Sequence, residues 1–256
     1  MTDQERLTAA RQDLLKLSNE ISGRLKQTKD RRRAEDVRRL HEIRSMLDPL
    51  NGYASQAGQD RVIDRLFDGK RGGVFVDVGA YDGITGSNSY FFEKHRGWTG
   101  FMVEPVDFFR QKAERLRSSI CLPFAVSDAE GEAQFMAVTE GFTQMSGLVD
   151  QYDPAMLRKV RDDKRHKEDL VTVKTRKLAD LLDDQGITAP DYISLDIEGG
   201  EVAALSTFPF SEYQIGAWSI ENNSGSAEIR EIMQTHDYKL IEYCGPDEVY
   251  AHSSLL

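Results

Sequence analysis

The sequence predicts a doubly wound α/β domain with a mostly parallel sheet and an antiparallel edge, preceded by a helical extension. Residues 74–78 and 192–196 are short, mostly apolar runs, typical of strands that are buried on both faces. From about residue 52 onward, such runs alternate with helix-forming segments, which favours parallel strands joined by helices. Residues 239–243 and 248–251 are two strand-like segments too close together for a helical crossover, so they predict the antiparallel edge.

The extension covers residues 1–50 and is polar and helix-forming, with Gly23 as its only glycine. Thr2 and Glu5 have the spacing of a helix capping box. Apolar residues three and four apart form a narrow seam that lapses over residues 26–33, and its members are Leu7, Ala10, Leu14, Leu17, Ile21, Val37, Leu40 and Leu47. This pattern predicts two helices or one broken helix. They could form a coiled coil in a homodimer, lie along the domain that follows, or have no chemical role.

Composition restricts the class of protein. The chain has 256 residues, enough for one well-buried domain with an appendage. Its net charge of −10 argues against nucleic acid as the main partner, because phosphate binding requires clustered cations. No stretch approaches the roughly 20 apolar residues of a transmembrane helix, and the N-terminus has no secretory signal. We therefore expect a cytoplasmic protein, in which Cys121 and Cys244 are buried thiols.

The strongest chemical feature is the turn after the first predicted strand, formed by Asp77, Val78, Gly79, Ala80, Tyr81, Asp82 and Gly83. Ligands of open α/β sheets bind beyond the carboxyl ends of the strands, and glycine lets the backbone approach them closely. The glycine spacing departs from the G-x-G-x-x-G fingerprint of dinucleotide sites. Carboxylates suit the sulfonium and ammonium groups of S-adenosylmethionine better than a pyrophosphate. A turn that only connects strand to helix is the alternative.

Two further strand tips complete the predicted donor site. Glu104, followed by Pro105, ends the second strand roughly 20–30 residues after the glycine turn, where an acid can accept both ribose hydroxyls of a nucleoside. Ser127 and Asp128 end the third strand, where the adenine amino group would lie. A surface glutamate is the alternative for Glu104.

A second group of acids is predicted at two neighbouring strand tips. Asp196 and Glu198 end one buried strand, and Glu221 ends the next. Carboxylates gathered at the ligand-binding edge can act as a general base or hold a metal ion. Asp196, Glu198 and Glu221 are therefore the candidate catalytic residues, with Asp196 also near the donor. The alternative is that these acids cap helices, above all Glu201.

In order along the chain, the motifs strongly resemble the FkbM family of methyltransferases over about residues 55–251. The motifs that carry the resemblance are Ser55-Gln56-x-Gly58-Gln59-Asp60, Phe75-Val76-Asp77-Val78-Gly79-Ala80-x-Asp82-Gly83, Ser87-Asn88, Gly97-Trp98, Val103-Glu104-Pro105, Ala125-Val126-Ser127-Asp128, Leu195-Asp196-Ile197-Glu198-Gly199-x-Glu201 and Ile220-Glu221-Asn222. The extension lies outside it.

The resemblance implies a Rossmann-like class I methyltransferase fold, S-adenosylmethionine as donor, and O-methylation of a hydroxyl on a sugar, glycan or natural product. It adds Ser87 and Asn88 to the donor site. Tyr81 stands where the family often has asparagine, which would reshape the methionine end of the pocket. A further similarity, to the magnesium set of macrolide-sugar O-methyltransferases, makes Asp196, Glu221 and Asn222 candidate Mg²⁺ ligands. Asn222 replaces the second acid of that set.

The domain itself is expected to span residues 52–256, with a lid or substrate insert at 139–169, where glycines and charges interrupt the strand–helix alternation. Two other functional classes stay open. A non-catalytic module that recruits a partner through the helices would keep the same fold. A nicotinamide oxidoreductase is disfavoured by the glycine spacing.

Overall fold

The computed structural model describes all 256 residues. Its strands are β1 (Val74–Val78), β2 (Thr99–Val103), β3 (Ile120–Leu122), β4 (Ala125–Val126), β5 (Gly131–Glu140), β6 (Gly147–Leu148), β7 (Lys167–Arg176), β8 (Tyr192–Leu195), β9 (Ala217–Glu221), β10 (Tyr238–Cys244) and β11 (Asp247–His252). Its α-helices are α1 (Asp3–Gln27), α2 (Arg33–Leu47), α3 (Gln59–Leu66), α4 (Asp107–Leu116), α5 (Pro154–Arg161), α6 (Leu178–Asp184), α7 (Glu201–Ser206) and α8 (Glu228–Thr235). None of the helices is both long enough and apolar enough to cross a membrane.

The main sheet has seven strands in the order β10-β11-β9-β8-β1-β2-β3. All pairings from β9 to β3 are parallel, whereas β11 is antiparallel to both of its neighbours. The predicted doubly wound fold with an antiparallel edge is therefore confirmed. The strand order reverses between β1 and β8, so the carboxyl ends of these two strands flank the crevice in which such sheets bind ligands.

Both faces of the main sheet are covered, as the continuous apolar strands predict. Val76 and Ile193 belong to the larger hydrophobic cluster, and Phe75 and Tyr192 belong to the cluster on the opposite face. Both cysteines are buried free thiols, as expected.

A second sheet of four strands, in the order β4-β7-β5-β6, flanks the segment that was predicted as a lid or substrate insert. Residues 139–169 are not one loop, because they contain the end of β5, β6, α5 and the start of β7. Antiparallel pairing of β5 with β7 orders this region, and Met136, Val138, Tyr152 and Val160 form a small core beneath it.

The extension forms two helices, one of the two alternatives that the interrupted seam predicts, and the Thr2–Glu5 capping box begins α1. Ile21, Leu40 and Ile43 are buried where α1 packs on α2. Arg33 then binds the Glu242 carboxylate with two donors, at 2.5 and 2.7 Å, so α2 is fastened to β10. The extension thus lies along the α/β domain, which is one of the arrangements left open by the sequence.

Candidate functional site

A cavity of about 530 Å³ opens at the carboxyl ends of β1, β2, β8 and β9, a size typical of small-molecule sites. Gly79, Glu104, Asp196 and Glu221 line it from these four strand tips in turn. Its other wall comes from the second sheet and the segment above it, through side chains that include Phe135, Phe142, Met145, Leu148 and Val160. The strand tips chosen from the sequence therefore meet in one cavity.

The backbone conformation and the close packing at Gly79 in the glycine turn both require a residue without a Cβ. Its φ angle of 85° lies in the left-handed region that favours glycine. A Cβ at this position would lie 1.7 Å from the carbonyl oxygen of Asp196. The amides of Gly79 and Ala80 both donate to the carbonyl of Val103, at 3.0 and 3.1 Å. The turn is therefore fixed to β2 and pressed against the end of β8.

Glu104 is the best-placed residue for a nucleoside. One of its carboxylate oxygens accepts from the backbone N–H of Tyr81 at 3.0 Å, and the other from Val106 at 2.8 Å. These bonds fix the carboxylate, and each oxygen retains a lone pair for a further donor. Burial raises the pKa of Glu104 to about 8. A fixed carboxylate lining the cavity is the partner that a ribose diol requires.

Tyr81 connects the glycine turn to the opposite wall. Its φ of 50° is left-handed, a conformation that asparagine adopts more readily than tyrosine. The Tyr81 ring packs on Phe109 with centroids 4.2 Å apart, and its hydroxyl hydrogen-bonds the Thr143 hydroxyl at 2.8 Å. The tyrosine therefore links the donor edge to the segment above the cavity.

Among the predicted donor residues, Gly79, Tyr81, Asn88, Glu104, Pro105 and Asp196 line the cavity. Those that do not are Asp77, Ala80, Asp82, Gly83, Ser87, Ser127 and Asp128. Direct contact of this second group with a ligand in the cavity is therefore not supported, and each of its polar members has another partner.

Asp77 lies beneath the turn rather than in the cavity. Its carboxylate accepts from the hydroxyls of Ser87 at 3.1 Å and Ser89 at 2.5 Å. The buried Arg117 donates to the Ser89 hydroxyl and to the carbonyl of Gly83. Asp77 and Ser87 thus support the turn from below, and the predicted contact of Asp77 with the sulfonium or ammonium group is corrected to this supporting position.

The remaining members of that group have local partners as well. Asp82 accepts from the amides of Ile84 and Thr85, which closes the turn after the first strand. Ser127 donates to Asp128 and accepts from Gln151. The chain has already left the main sheet here, since β4 pairs with β7, so the cavity is lined by Val126 instead.

The acidic strand tips form a compact cluster, which we call the acid trio, of Asp196, Glu198 and Glu221. One carboxylate oxygen from each lies within 4.8 Å of the other two. Burial, together with the proximity of the other carboxylates, raises the pKa of all three well above its usual range. Glu198 has a left-handed φ of 60°, and Glu221 Oε2 is buried without a hydrogen-bond partner. Such strained and unsatisfied groups are typical of functional sites.

Asn222 does not join this cluster. Its amide nitrogen donates to the carbonyl of Ser226 at 2.9 Å, and its oxygen accepts from the Ser226 amide. The predicted metal set of Asp196, Glu221 and Asn222 is therefore corrected, because Asn222 closes the loop after β9 and Glu198 completes the trio. Glu201, the first residue of α7, accepts from the amides of Ile197 and Gly199, which precede the helix, so its carboxylate fixes the loop between β8 and α7 and does not cap the helix as the alternative interpretation expected.

Three residues at the acceptor end were missed from the sequence. Asp247 lies beside Glu221 in the β9–β11 pairing, accepts from Gln59 at 3.0 Å, and has a pKa raised by burial to about 7. Arg38 reaches the same cavity from α2. Gln59 belongs to the first quoted motif, and Asp247 begins a strand beside an acidic strand tip, so the sequence offered a reason to assign both of them to the site. No sequence pattern indicates Arg38.

Comparison with known proteins shows the family to which the chain belongs. The family model for the methyltransferase FkbM domain matches residues 77–240, which include all four strand tips. A crystal structure of methyltransferase FkbM from Methylobacillus flagellatus is 16% identical with a TM-score of 0.48, covering 87% of this chain and 50% of that one. The chain thus spans half the length of that protein.

Two other solved structures resemble the chain. A TehB-like SAM-dependent methyltransferase from Corynebacterium glutamicum is 13% identical with a TM-score of 0.41, covering 82% of this chain and 92% of that one. Human methyltransferase 10 domain containing protein is 12% identical with a TM-score of 0.44, covering 88% and 99%. No curated protein matches. Because the family model covers more than half of the sequence, the chain belongs to the FkbM methyltransferase domain family.

Proposed function

We propose that this protein transfers the methyl group of S-adenosylmethionine to a hydroxyl of a sugar, glycan or natural product. Membership of the family supports methyl transfer with S-adenosylmethionine as the cofactor. The observation that carries the oxygen acceptor is the acid trio, which lies in the same cavity as Glu104. A hydroxyl needs a proton acceptor near its oxygen, and buried carboxylates with raised pKa values are suited to that task.

In this proposal the two ends of the cavity have separate tasks. Glu104 accepts the ribose hydroxyls of the donor, and Gly79, Tyr81, Asn88 and Pro105 surround it. The acid trio holds the acceptor oxygen and takes its proton. Alignment of that oxygen with the methyl carbon and sulfur supplies much of the rate. The segment that carries Phe142 and Met145 acts as a lid that excludes water, as proposed for the insert.

The acid trio also fits a divalent cation. Hard oxygen ligands favour Mg²⁺, and the cluster offers three carboxylates with no lysine or arginine paired to them. In the proposal, Asp196, Glu198 and Glu221 hold the ion. A bound cation lowers the pKa of the acceptor hydroxyl. Removal of divalent cations with a chelator is then expected to stop transfer, and Mg²⁺ to restore it.

The donor half is tested by calorimetric titration with S-adenosylmethionine at several pH values. The folded-state pKa of Glu104, about 8, lies above the ordinary 4.5, so the stability contributed by this group falls as pH rises through that window. Ribose hydroxyls donate to the charged form, so we expect donor affinity to rise by up to about tenfold per pH unit from 6 to 8. Proton release on binding, measured in buffers of different ionisation heat, checks this.

Glu104→Gln is the informative variant, because the amide has one acceptor oxygen where the carboxylate has two. It should bind the donor at least about tenfold more weakly, with the pH dependence lost. The exposed Glu132, on the second sheet, gives the matched control Glu132→Gln, which should bind normally. A donor affinity independent of pH in the unmodified protein would contradict the role of Glu104.

The acceptor half is tested with labelled donor and a panel of sugar and polyketide hydroxyls, with amine acceptors as comparison. Label recovered on oxygen supports the proposal, and label found only on nitrogen overturns it. Absence of donor binding would point instead to the non-catalytic module that recruits a partner.

A homodimer through the extension is a further proposal. Along α1, Leu7 and Leu17 are 67% and 42% exposed, although α2 covers Ile21. Pairing of two such seams would bury them. We expect light scattering to give the mass of a dimer, and the Leu7→Glu, Leu17→Glu double variant to be monomeric. A monomer at micromolar concentration before substitution would reject this arrangement.

A further inference from the structure

A second cavity, of about 400 Å³, lies between the α1–α2 hairpin and α3, and it shares no lining residue with the donor cavity. Six basic side chains line it: Lys26, Lys29, Arg33, Arg44, Arg61 and Arg65. Its one acidic lining residue is Glu242, whose two oxygens are both bound by Arg33. We call this second cavity the basic groove. Its charge contrasts with the net charge of −10 of the whole chain.

The other arginines of the basic groove have no carboxylate partner. Arg44, Arg61 and Arg65 form no ion pair, whereas other arginines do, such as Arg24 with Asp36 and Arg96 with Asp64. Burial lowers the pKa of both Arg44 and Arg61, and so does the positive charge of neighbouring arginines, although Asp60 and Asp48 act in the opposite direction on Arg61. Like charges held together in a partly buried cavity are unfavourable unless an anion joins them.

The position of the Arg61 guanidinium, which could contact an anion, is fixed by Tyr53. Its guanidinium lies 4.2 Å from the ring centroid of Tyr53, and the Tyr53 hydroxyl donates to Asp64 at 2.7 Å. Nε and Nη2 of Arg61, which lines the groove, are buried without a hydrogen-bond acceptor. Buried donors without partners are costly, so this side chain points to a missing acceptor in the cavity.

We propose that the basic groove binds a phosphate monoester or diphosphate group of a small ligand. Guanidinium groups match the oxygens of a phosphate with paired, charge-assisted hydrogen bonds. Because Arg33 already binds both oxygens of Glu242, the guanidinium groups of Arg44, Arg61 and Arg65 have no carboxylate to pair with in the groove. The walls come from both the extension and α3, so an occupied groove fastens the two together. This site is separate from methyl transfer and does not depend on the proposed acceptor.

The test is calorimetric titration of the full chain with pyrophosphate at constant ionic strength. We expect a dissociation constant below about 1 mM. Arg61→Gln and Arg65→Ala should each weaken binding about tenfold or more, since each removes charge-assisted bonds. Arg65 is exposed, so its variant keeps the proposal testable if Arg61→Gln fails to fold. Arg115→Ala on α4, also exposed and outside the groove, is the matched control and should bind normally.

Binding of S-adenosylmethionine should stay unchanged in all three variants, which separates this site from the donor cavity. Binding of the protein to vesicles that contain phosphatidic acid is measured as a second experiment. Vesicle binding that pyrophosphate competes away assigns the site to a lipid headgroup, and absence of vesicle binding assigns it to a soluble ligand. No heat with pyrophosphate, or equal affinity in Arg65→Ala and Arg115→Ala, overturns the proposal.

Discussion

Replacing Gly79 with alanine is expected to abolish donor binding and to lower the free energy of unfolding by roughly 4 kcal/mol or more. The left-handed φ of 85° alone costs about 1–2 kcal/mol for a residue with a Cβ. The added Cβ would also lie 1.7 Å from the Asp196 carbonyl oxygen, so the turn must separate from β8. That movement carries the backbone beside the acid trio with it. Chemical denaturation and donor titration measure the two effects.

Gly72→Ala is the matched control, because it separates the backbone strain from the overlap. Gly72 also has a left-handed φ, of 68°, but a Cβ there meets no atom within 4 Å. It should cost only about 1–2 kcal/mol and leave donor binding intact. Equal losses in the two variants would show that the contact between the turn and β8 has no special importance.

Replacing Glu221 with glutamine is expected to reduce kcat by about 10²–10⁴-fold while donor affinity stays near normal. The amide keeps the shape of the side chain but removes the carboxylate that faces Asp196 and Glu198. Loss of the base, or of a cation ligand, affects the transfer step and not the ribose contacts at Glu104. Single-turnover transfer and donor titration distinguish the two quantities.

The pH profile gives an independent check on the acid trio. Because these pKa values are raised, protonation on lowering the pH should inactivate the enzyme at a higher pH than an ordinary glutamate would. Glu132→Gln on the second sheet should leave both rate and profile unchanged. A Glu221→Gln enzyme that retains normal kcat would remove Glu221 from the proposed chemistry.

Features set by local sequence could be predicted, and those set by distant partners could not. Buried strands can be recognised in the sequence as continuous apolar runs. Parallel strands place their carboxyl ends at one edge of the sheet, and the cavity there is lined, as predicted, by Gly79, Glu104, Asp196 and Glu221. Whether a side chain of the turn faces the cavity or lies beneath the turn depends on which residues pack against it, and these are distant in the sequence. Asp77 was therefore assigned to the cavity, whereas Ser87 and Ser89 hold it underneath.

The acceptor end shows the same division. Asn222 follows an acidic tip and looks like a ligand in sequence, but its amide is engaged by Ser226 within its own loop. Arg38 enters the cavity from a helix that precedes the domain, a long-range contact for which no local pattern exists. That β5 and β7 pair in a sheet of their own was not predicted, because the choice of pairing partner depends on contacts between segments distant in the sequence.

The ion pairs between the extension and the β10–β11 hairpin have a consequence for any shortened form of the protein. Arg31 and Arg33 bind Glu248 and Glu242, and residues 1–50 hold 12 basic and 9 acidic side chains, a surplus of +3. A chain begun at residue 51 would therefore carry a net charge of −13, which is −10 − 3, and would lose the arginine partners of two carboxylates on one hairpin. The first fifty residues therefore supply positive charge that is covalently attached to an acidic domain. Their removal should make the remainder more dependent on salt for folding.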